Sequence, residues 1–157
     1  MIKTVILLRH AKAEESYLAK TDFDRNITER GISDSQKMGH YFTSLNIVPK
    51  IIFSSDSART TQTVQEFVKA ANLNTDIVFT HNLYHALASD YLKILNECEK
   101  DTILIVGHNM GISAIADWLS ETSVPELPTC GLLVLQFKRE IKIKKGIVLA
   151  YQAPKKI

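Results

Sequence analysis

Val5-Ile6-Leu7-Leu8 is an unbroken apolar run, closed at once by Arg9 and His10. A run that short, with no polar alternation, predicts a strand buried on both faces. Ile51-Ile52-Phe53 and Thr102 to Val106 repeat the pattern, and Ile77-Val78-Phe79 is a weaker example. Between these runs the apolar period changes to that of a helix. Thr28 can cap a helix that turns Ile32, Met38, Phe42 and Leu45 inward and ends around Asn46. Ser55 or Asp56 can cap a second, with Val64, Phe67, Val68 and Ala71 as its stripe. Ser89 would open a third, carrying Leu92, Leu95 and Cys98. Ile112, Ile115, Ala116 and Leu119 fall at i, i+3, i+4 and i+7 and predict a fourth, with Trp118 in the core. Leu132 to Phe137 and Ile147 to Tyr151 read as final strands, joined by the basic, solvated stretch Lys138 to Lys145. Strands alternating with helices imply a mainly parallel sheet covered on both faces, its last two strands pairing as a hairpin.

In such a sheet, ligands bind beyond the carboxyl ends of the strands. Three of those ends carry Arg9-His10, Arg59 in the first turn of a helix, and His108. A cation in a first helical turn opposes the helix dipole and requires a compensating anion. Two guanidiniums offer planar forks of donors that fit phosphate oxygens in pairs. A neutral imidazole can attack phosphorus and carry the phosphoryl group as phosphohistidine. A second histidine, once protonated, can donate to a phosphate oxygen and stabilise charge in the transition state. The cations take the electrostatic part a metal would play, so neither a metal nor another cofactor is expected. The stretch from Arg9 to Ile27 is long and polar for a connection, which is common where a loop has a function.

Composition narrows the classes further. The chain has 157 residues, 45% apolar and 23% charged, with a net charge of +2. That length suits one domain spanning residues 1–157. The small net charge gives no support to nucleic-acid binding, and no stretch reaches the roughly 20 apolar residues of a membrane span. Met1 leads directly into strand with no signal-like pattern. Cys98 and Cys130 read as two reduced thiols, and the expected location is cytoplasmic.

The residues at these strand ends resemble the motifs of the histidine phosphatase superfamily. R-H-A-K-A after the first strand is similar to its Arg-His signature. S-S-D-S-A-R-T-T-Q-T (Ser54 to Thr63) is similar to its second-arginine motif, and V-G-H-N-M-G (Val106 to Gly111) to its second-histidine motif. D-F-D-R-N-I-T-E-R-G (Asp22 to Gly31) resembles the segment that supplies a further arginine in small members. The order and size most resemble SixA-type phosphohistidine phosphatases. The resemblance implies a three-layer α/β/α sandwich of phosphoglycerate mutase-like fold. It implies His10 as nucleophile, with Arg9, Arg59 and His108 completing a phosphate pocket. Arg25 would be an additional ligand, and Lys12 and Asn109 are further substrate-binding candidates. Water would then hydrolyse the phosphoenzyme. The partner would be a phosphoprotein, such as a histidine-phosphotransfer domain, or a small phosphorylated molecule.

One departure bears on substrate. Many members carry a glutamate as general acid before a Leu-Tyr pair, and here Asn82 precedes Leu83-Tyr84. Other branches place an aspartate after the second histidine, where this chain has Asn109. A phosphoramidate tolerates the loss, because its own nitrogen can be protonated before the bond breaks. An alkyl phosphate depends on the acid by ~100–10,000-fold. The missing acid therefore favours phosphohistidine over simple esters; Asp24, Glu14, Glu15 and His85 are the alternative proton donors. The absence of long insertions after the second strand or before Thr102 predicts an open pocket. A phosphatase of small esters on the same fold is the nearest rival, and a phosphate-binding adaptor that has lost catalysis is the rival of another class. Gly107-His108-Asn109-Met110-Gly111 also resembles a hydrolase nucleophile elbow, but Asn109 is no nucleophile and no later histidine completes a triad.

Overall fold

The computed structural model describes residues 1–157. Its six strands are β1 (Lys3–Arg9), β2 (Ile51–Ser55), β3 (Ile77–Thr80), β4 (Thr102–Gly107), β5 (Leu132–Phe137) and β6 (Ile147–Gln152). They form one sheet in the order β3-β2-β4-β1-β5-β6. β1, β2, β3 and β4 run parallel, whereas β5 is antiparallel to β1 and pairs with β6 as the expected hairpin. The helices are α1 (Glu29–Thr43), α2 (Ala58–Ala70), α3 (Ala88–Glu97) and α4 (Gly111–Leu119). No helix is long and apolar enough to cross a membrane.

Strand alternation divides the core in two. Val5 and Leu7 of β1 pack with Tyr91, Leu95, Ile112, Ile115 and Leu119 from α3 and α4. Ile6 and Leu8 point the other way, onto Met38, Phe42, Val64 and Phe67 of α1 and α2. All of Val5 to Leu8 are fully buried, which is why this run of the strand carries no polar residue. The result is the three-layer α/β/α arrangement expected.

Several local expectations change for reasons of packing. Ile32 is 39% exposed; the inward face of α1 is Gly31, Asp34, Ser35, Met38, Gly39 and Phe42. That face is small because α1 lies close on α2. A Cβ built on Gly39 would stand 2.6 Å from the Phe67 carbonyl and 2.7 Å from the Ala70 Cβ. Trp118 is 41% exposed, since it lies off the stripe that Ile112, Ile115, Ala116 and Leu119 bury. The inward residues of α3 are Ala88, Tyr91 and Leu95, and Leu92 is only partly buried. Ser89 sits inside that helix, which begins after Leu87. Ser57, rather than Ser55 or Asp56, caps α2 by accepting from the Thr60 N–H. Cys98 and Cys130 are free thiols, and burial pushes Cys130 up to about 12.

The sheet register places the chemistry. Arg9 is level with Gly107, and Ser54 with Val106, so β1, β2 and β4 end side by side. Gly39→Ala should cost about 1–3 kcal/mol by overpacking the α1–α2 contact. A lowered urea midpoint with an unchanged slope would check it.

Candidate active site

His10 follows β1 directly, and its main chain is tied on both sides. Its N–H donates to the Gly107 carbonyl at 3.0 Å, and its carbonyl accepts from Cys130 N–H at 2.9 Å. The side chain is oriented by its neighbour: Nδ1 lies 2.8 Å from the Ala11 carbonyl. A carbonyl can only accept, so Nδ1 carries the proton and Nε2 keeps its lone pair. Burial pulls this imidazole down to about 4, and the guanidiniums of Arg59, Arg9 and Arg25 push in the same direction, against the hydrogen bond to Ala11. His10 is therefore a neutral base with a defined free nitrogen at physiological pH.

His108 faces it, with ring centroids 5.2 Å apart. Its Nε2 lies 2.9 Å from the Ser55 hydroxyl and 3.5 Å from that of Ser57. Burial lowers its pKa to about 3, helped by His10 and Arg59. Burial and nearby cations thus oppose a further charge and keep His108 neutral, so the protonation on which its charged donor role depends needs a compensating anion. If the Ser55 hydroxyl donates to Nε2, Nδ1 carries the proton and is a donor without a charge; the other tautomer has Nε2–H donating to Ser55. The Tyr91 hydroxyl supports this turn, accepting from the His108 N–H at 3.1 Å.

Both expected arginines reach the cluster. Arg9 donates from Nη1 to the Leu127 carbonyl at 3.0 Å. Arg59, in the first turn of α2, donates from Nη1 to the Asp22 carbonyl at 2.8 Å and from Nη2 to Asp22 Oδ2 at 3.0 Å. The buried side-chain polar atoms left without a partner are Arg9 Nε, Arg59 Nε and His108 Nδ1. All belong to this cluster and all can donate. Unpaired buried donors are costly and require an explanation, and an oxyanion beside His10 would supply one.

The remaining candidates divide. Arg25 is a quarter exposed, donates from Nε to the Glu14 carbonyl at 2.9 Å and from Nη1 to Asp22 Oδ1 at 3.0 Å, and acts electrostatically on His10. Asn109 is held by hydrogen bonds within the scaffold. Its Nδ2 donates to Glu126 Oε1 and the Leu127 carbonyl, each at 3.2 Å, and its Oδ1 accepts from Ser113 at 2.5 Å. These bonds pin the loop whose Leu127 carbonyl receives Arg9. Lys12 has an exposed side chain, and its carbonyl accepts from Thr28 N–H at 2.8 Å. Asn82 is exposed, while Glu14 and Asp24 accept hydrogen bonds within their own loop.

Sequence reasoning missed Asp22, Ser55 as a partner of His108, and Tyr91. Asp22 had a signal, since it precedes Arg25 inside the D-F-D-R segment. The others had none beyond their residue type. Tyr84 is the rim residue nearest the chemistry, its ring 5.7 Å from His108 and 4.0 Å from His85. His81 pairs instead with Asp56 at 3.1 Å.

The sequence model of the histidine phosphatase superfamily (branch 1) matches residues 5–85. A chloroplastic protein of Arabidopsis thaliana, itself uncharacterized, is 29% identical over 145 residues, covering 85% of this chain. The match spans 66% of that relative's length. The solved structure of a candidate phosphohistidine phosphatase SixA from Agrobacterium tumefaciens is 29% identical, with a TM-score of 0.83 and coverage of 97% and 98% of the two chains. The protein histidine phosphatase SixA complexed with tungstate has the same fold, with a TM-score of 0.81 at 19% identity and 98% of each chain covered.

The depressed histidines set a sign for stability. Unfolded histidines take up protons near 6.5, whereas His10 and His108 resist until about 4 and 3. The unfolded state therefore binds more protons between those values, and stability falls as pH drops below 6.5. His10→Ala should flatten that fall, and melting temperatures at pH 7 and 4.5 would measure the difference. Tyr91→Phe should leave the His108 N–H without its acceptor, costing about 1–3 kcal/mol of stability in a denaturant titration.

Proposed function

Because this chain belongs to the histidine phosphatase superfamily, we propose that it is a phosphatase working through a phosphohistidine on His10, with protein-borne phosphohistidine as its substrate. The observation that carries the reading is the set of buried, unpaired donors on Arg9, Arg59 and His108 around a nucleophile whose free nitrogen is defined. Three donors of that kind ask for an anion with several oxygens, and an adjacent lone pair on nitrogen asks for an electrophile at its centre.

The chemistry follows from these groups. The phosphate oxygens take the donors of Arg9 and Arg59, with Arg25 adding positive charge beside them. His10 Nε2 attacks phosphorus in line with the leaving nitrogen. The His10–P bond forms as the substrate P–N bond breaks, and the imidazole leaves neutral because it was protonated beforehand. His108 Nδ1 donates to an equatorial oxygen; the bound dianion also raises the pKa of that imidazole, so it can gain the proton the empty site denies it. Water then attacks the phosphorus of phospho-His10, releasing inorganic phosphate and regenerating the free imidazole. The roles of Arg9, His10, Arg59 and His108 in these steps are part of the proposal, as is Arg25 as an accessory ligand.

Two features favour a phosphoramidate on a protein. No carboxylate occupies either position where a general acid is often found in this family, since Asn82 and Asn109 stand there. That lack weighs on esters far more than on a leaving group already protonated. The walls are also short: only Asp56 and Ser57 separate β2 from α2, and Asp22, His85 and Met110 are exposed around the cluster. An open rim of this kind suits a phosphate presented on a folded partner, such as a histidine-phosphotransfer domain.

The test is phosphate release from a phosphohistidine-bearing protein and from a panel of phosphate esters, with His10→Ala alongside. Release from phosphohistidine should exceed that from alkyl esters by ~100-fold or more, and His10→Ala should lose at least ~1,000-fold. Comparable turnover of esters would move the substrate to small molecules. Phosphate binding with no phosphoenzyme and no release would instead mark a binding module that has lost catalysis.

A further inference from the structure

Asp22 lies 37 positions before Arg59 in the chain, in the turn Asp22–Asp24 between β1 and α1, yet its carboxylate gathers three donors, one local and two from distant segments. Arg25 Nη1 donates to Oδ1 at 3.0 Å; Arg59 Nη2 at 3.0 Å and the Tyr84 hydroxyl at 2.5 Å donate to Oδ2. The main-chain carbonyl of the same residue accepts Arg59 Nη1 at 2.8 Å. One residue thus grips both terminal nitrogens of one guanidinium.

Which edge is gripped decides what is left. The end-on edge of Arg59, Nη1 and Nη2, belongs to Asp22. The side-on edge carries Nε–H, and Nε is buried without a partner. An exposed ion pair would fix little; here the Asp22 side chain is 45% exposed but that of Arg59 only 8%. Partial burial works against ionisation of Asp22, and hydrogen bonds from Tyr84, Arg25 and Arg59 more than reverse it, holding the carboxyl well below the usual range. Tyr84 is itself braced, with Phe23 edge-on at 5.0 Å and His85 against its ring.

We propose that Asp22 is a positioning residue: it clamps the end-on edge of Arg59 so that the side-on edge stands ready for a phosphate, and Tyr84 holds Asp22 in that pose. The inference rests on Arg59 being a phosphate ligand, as proposed above. The opposite idea is that Asp22 competes with phosphate for Arg59. The two differ in sign. A competitor, or a merely repelling charge, tightens anion binding when it is removed. A clamp loosens it, even though a negative charge has gone.

The measurement is calorimetric binding of tungstate, with orthophosphate as a second probe, to the whole chain and to Asp22→Asn, Tyr84→Phe, Arg59→Lys and the Asp22→Asn/Arg59→Lys pair. Asp22→Asn should weaken binding by about tenfold, the scale of a hydrogen bond to a charged group. Tyr84→Phe should weaken it in the same direction by less. In the Arg59→Lys background, which has no fork to clamp, Asp22→Asn should change binding by less than about twofold, since the effect passes through Arg59. A merely structural role would keep its full factor there. Should Asp22→Asn fail to fold, Tyr84→Phe alone and in the Arg59→Lys background reads the same coupling. Equal or tighter binding by these single variants, or an undiminished factor in the Arg59→Lys background, overturns the clamp while leaving the phosphate site standing. Failure of the unaltered chain to bind either oxyanion removes the site and the clamp together.

Discussion

A permanent cation buried at the start of a helix must be compensated, and the functional end of this molecule is organised around that requirement. Arg59 is held against the positive end of α2, beneath a surface that leaves 8% of its side chain exposed. The loop between β1 and α1 answers with Asp22, which brings Arg25 and Tyr84 to the same carboxylate. That answer is partial: Asp22 satisfies one edge of the guanidinium and leaves another unpaired. Folding energy has been used to hold donors ready for an oxyanion the chain does not itself supply.

The histidines meet the same environment with the opposite response. An arginine keeps its proton when buried; a histidine gives its proton up. Burial beside Arg9 and Arg59 therefore makes His10 and His108 neutral, and neutrality is what a nucleophile requires. The hydrogen bond from His10 Nδ1 to the Ala11 carbonyl then chooses which nitrogen is free. One electrostatic setting thus fixes charge on the arginines and lone pairs on the imidazoles. On the proposed function, an arriving phosphate dianion reverses the setting locally and favours a protonated His108.

The scaffold reaches this precision through main-chain and small-residue contacts. His10 is tied to β4 through the Gly107 carbonyl and to the segment before β5 through Cys130. The Thr63 hydroxyl accepts from the Ala11 N–H at 2.9 Å and donates to the Arg59 carbonyl at 2.6 Å, joining the strand end that carries His10 to the helix that carries Arg59. Asn109 and Ser113 hold the loop that receives Arg9. Substitutions in these supports alter geometry before they alter chemistry.

The sequence by itself determined the layers and the convergence. Val5 to Leu8 and Thr102 to Val106 are too apolar for anything but central strands, and parallel strands must end at one edge. Arg9, His10, Arg59 and His108 were legible as a group for that reason alone. What it left open was every choice made by contact between distant segments. Ile32 and Trp118 are apolar yet exposed, because the close approach of α1 to α2 and the stripe of α4 filled the interior without them. Asn109 has the side chain of a ligand and the hydrogen bonds of a brace. Asp22 meets Arg59 across 37 positions, and no periodicity records such a pairing. The free nitrogen of His10 and the neutrality of His108 belong to the same class. A pattern along the chain reports which face a residue prefers; its partner, its proton and its remaining lone pair depend on what the fold sets beside it.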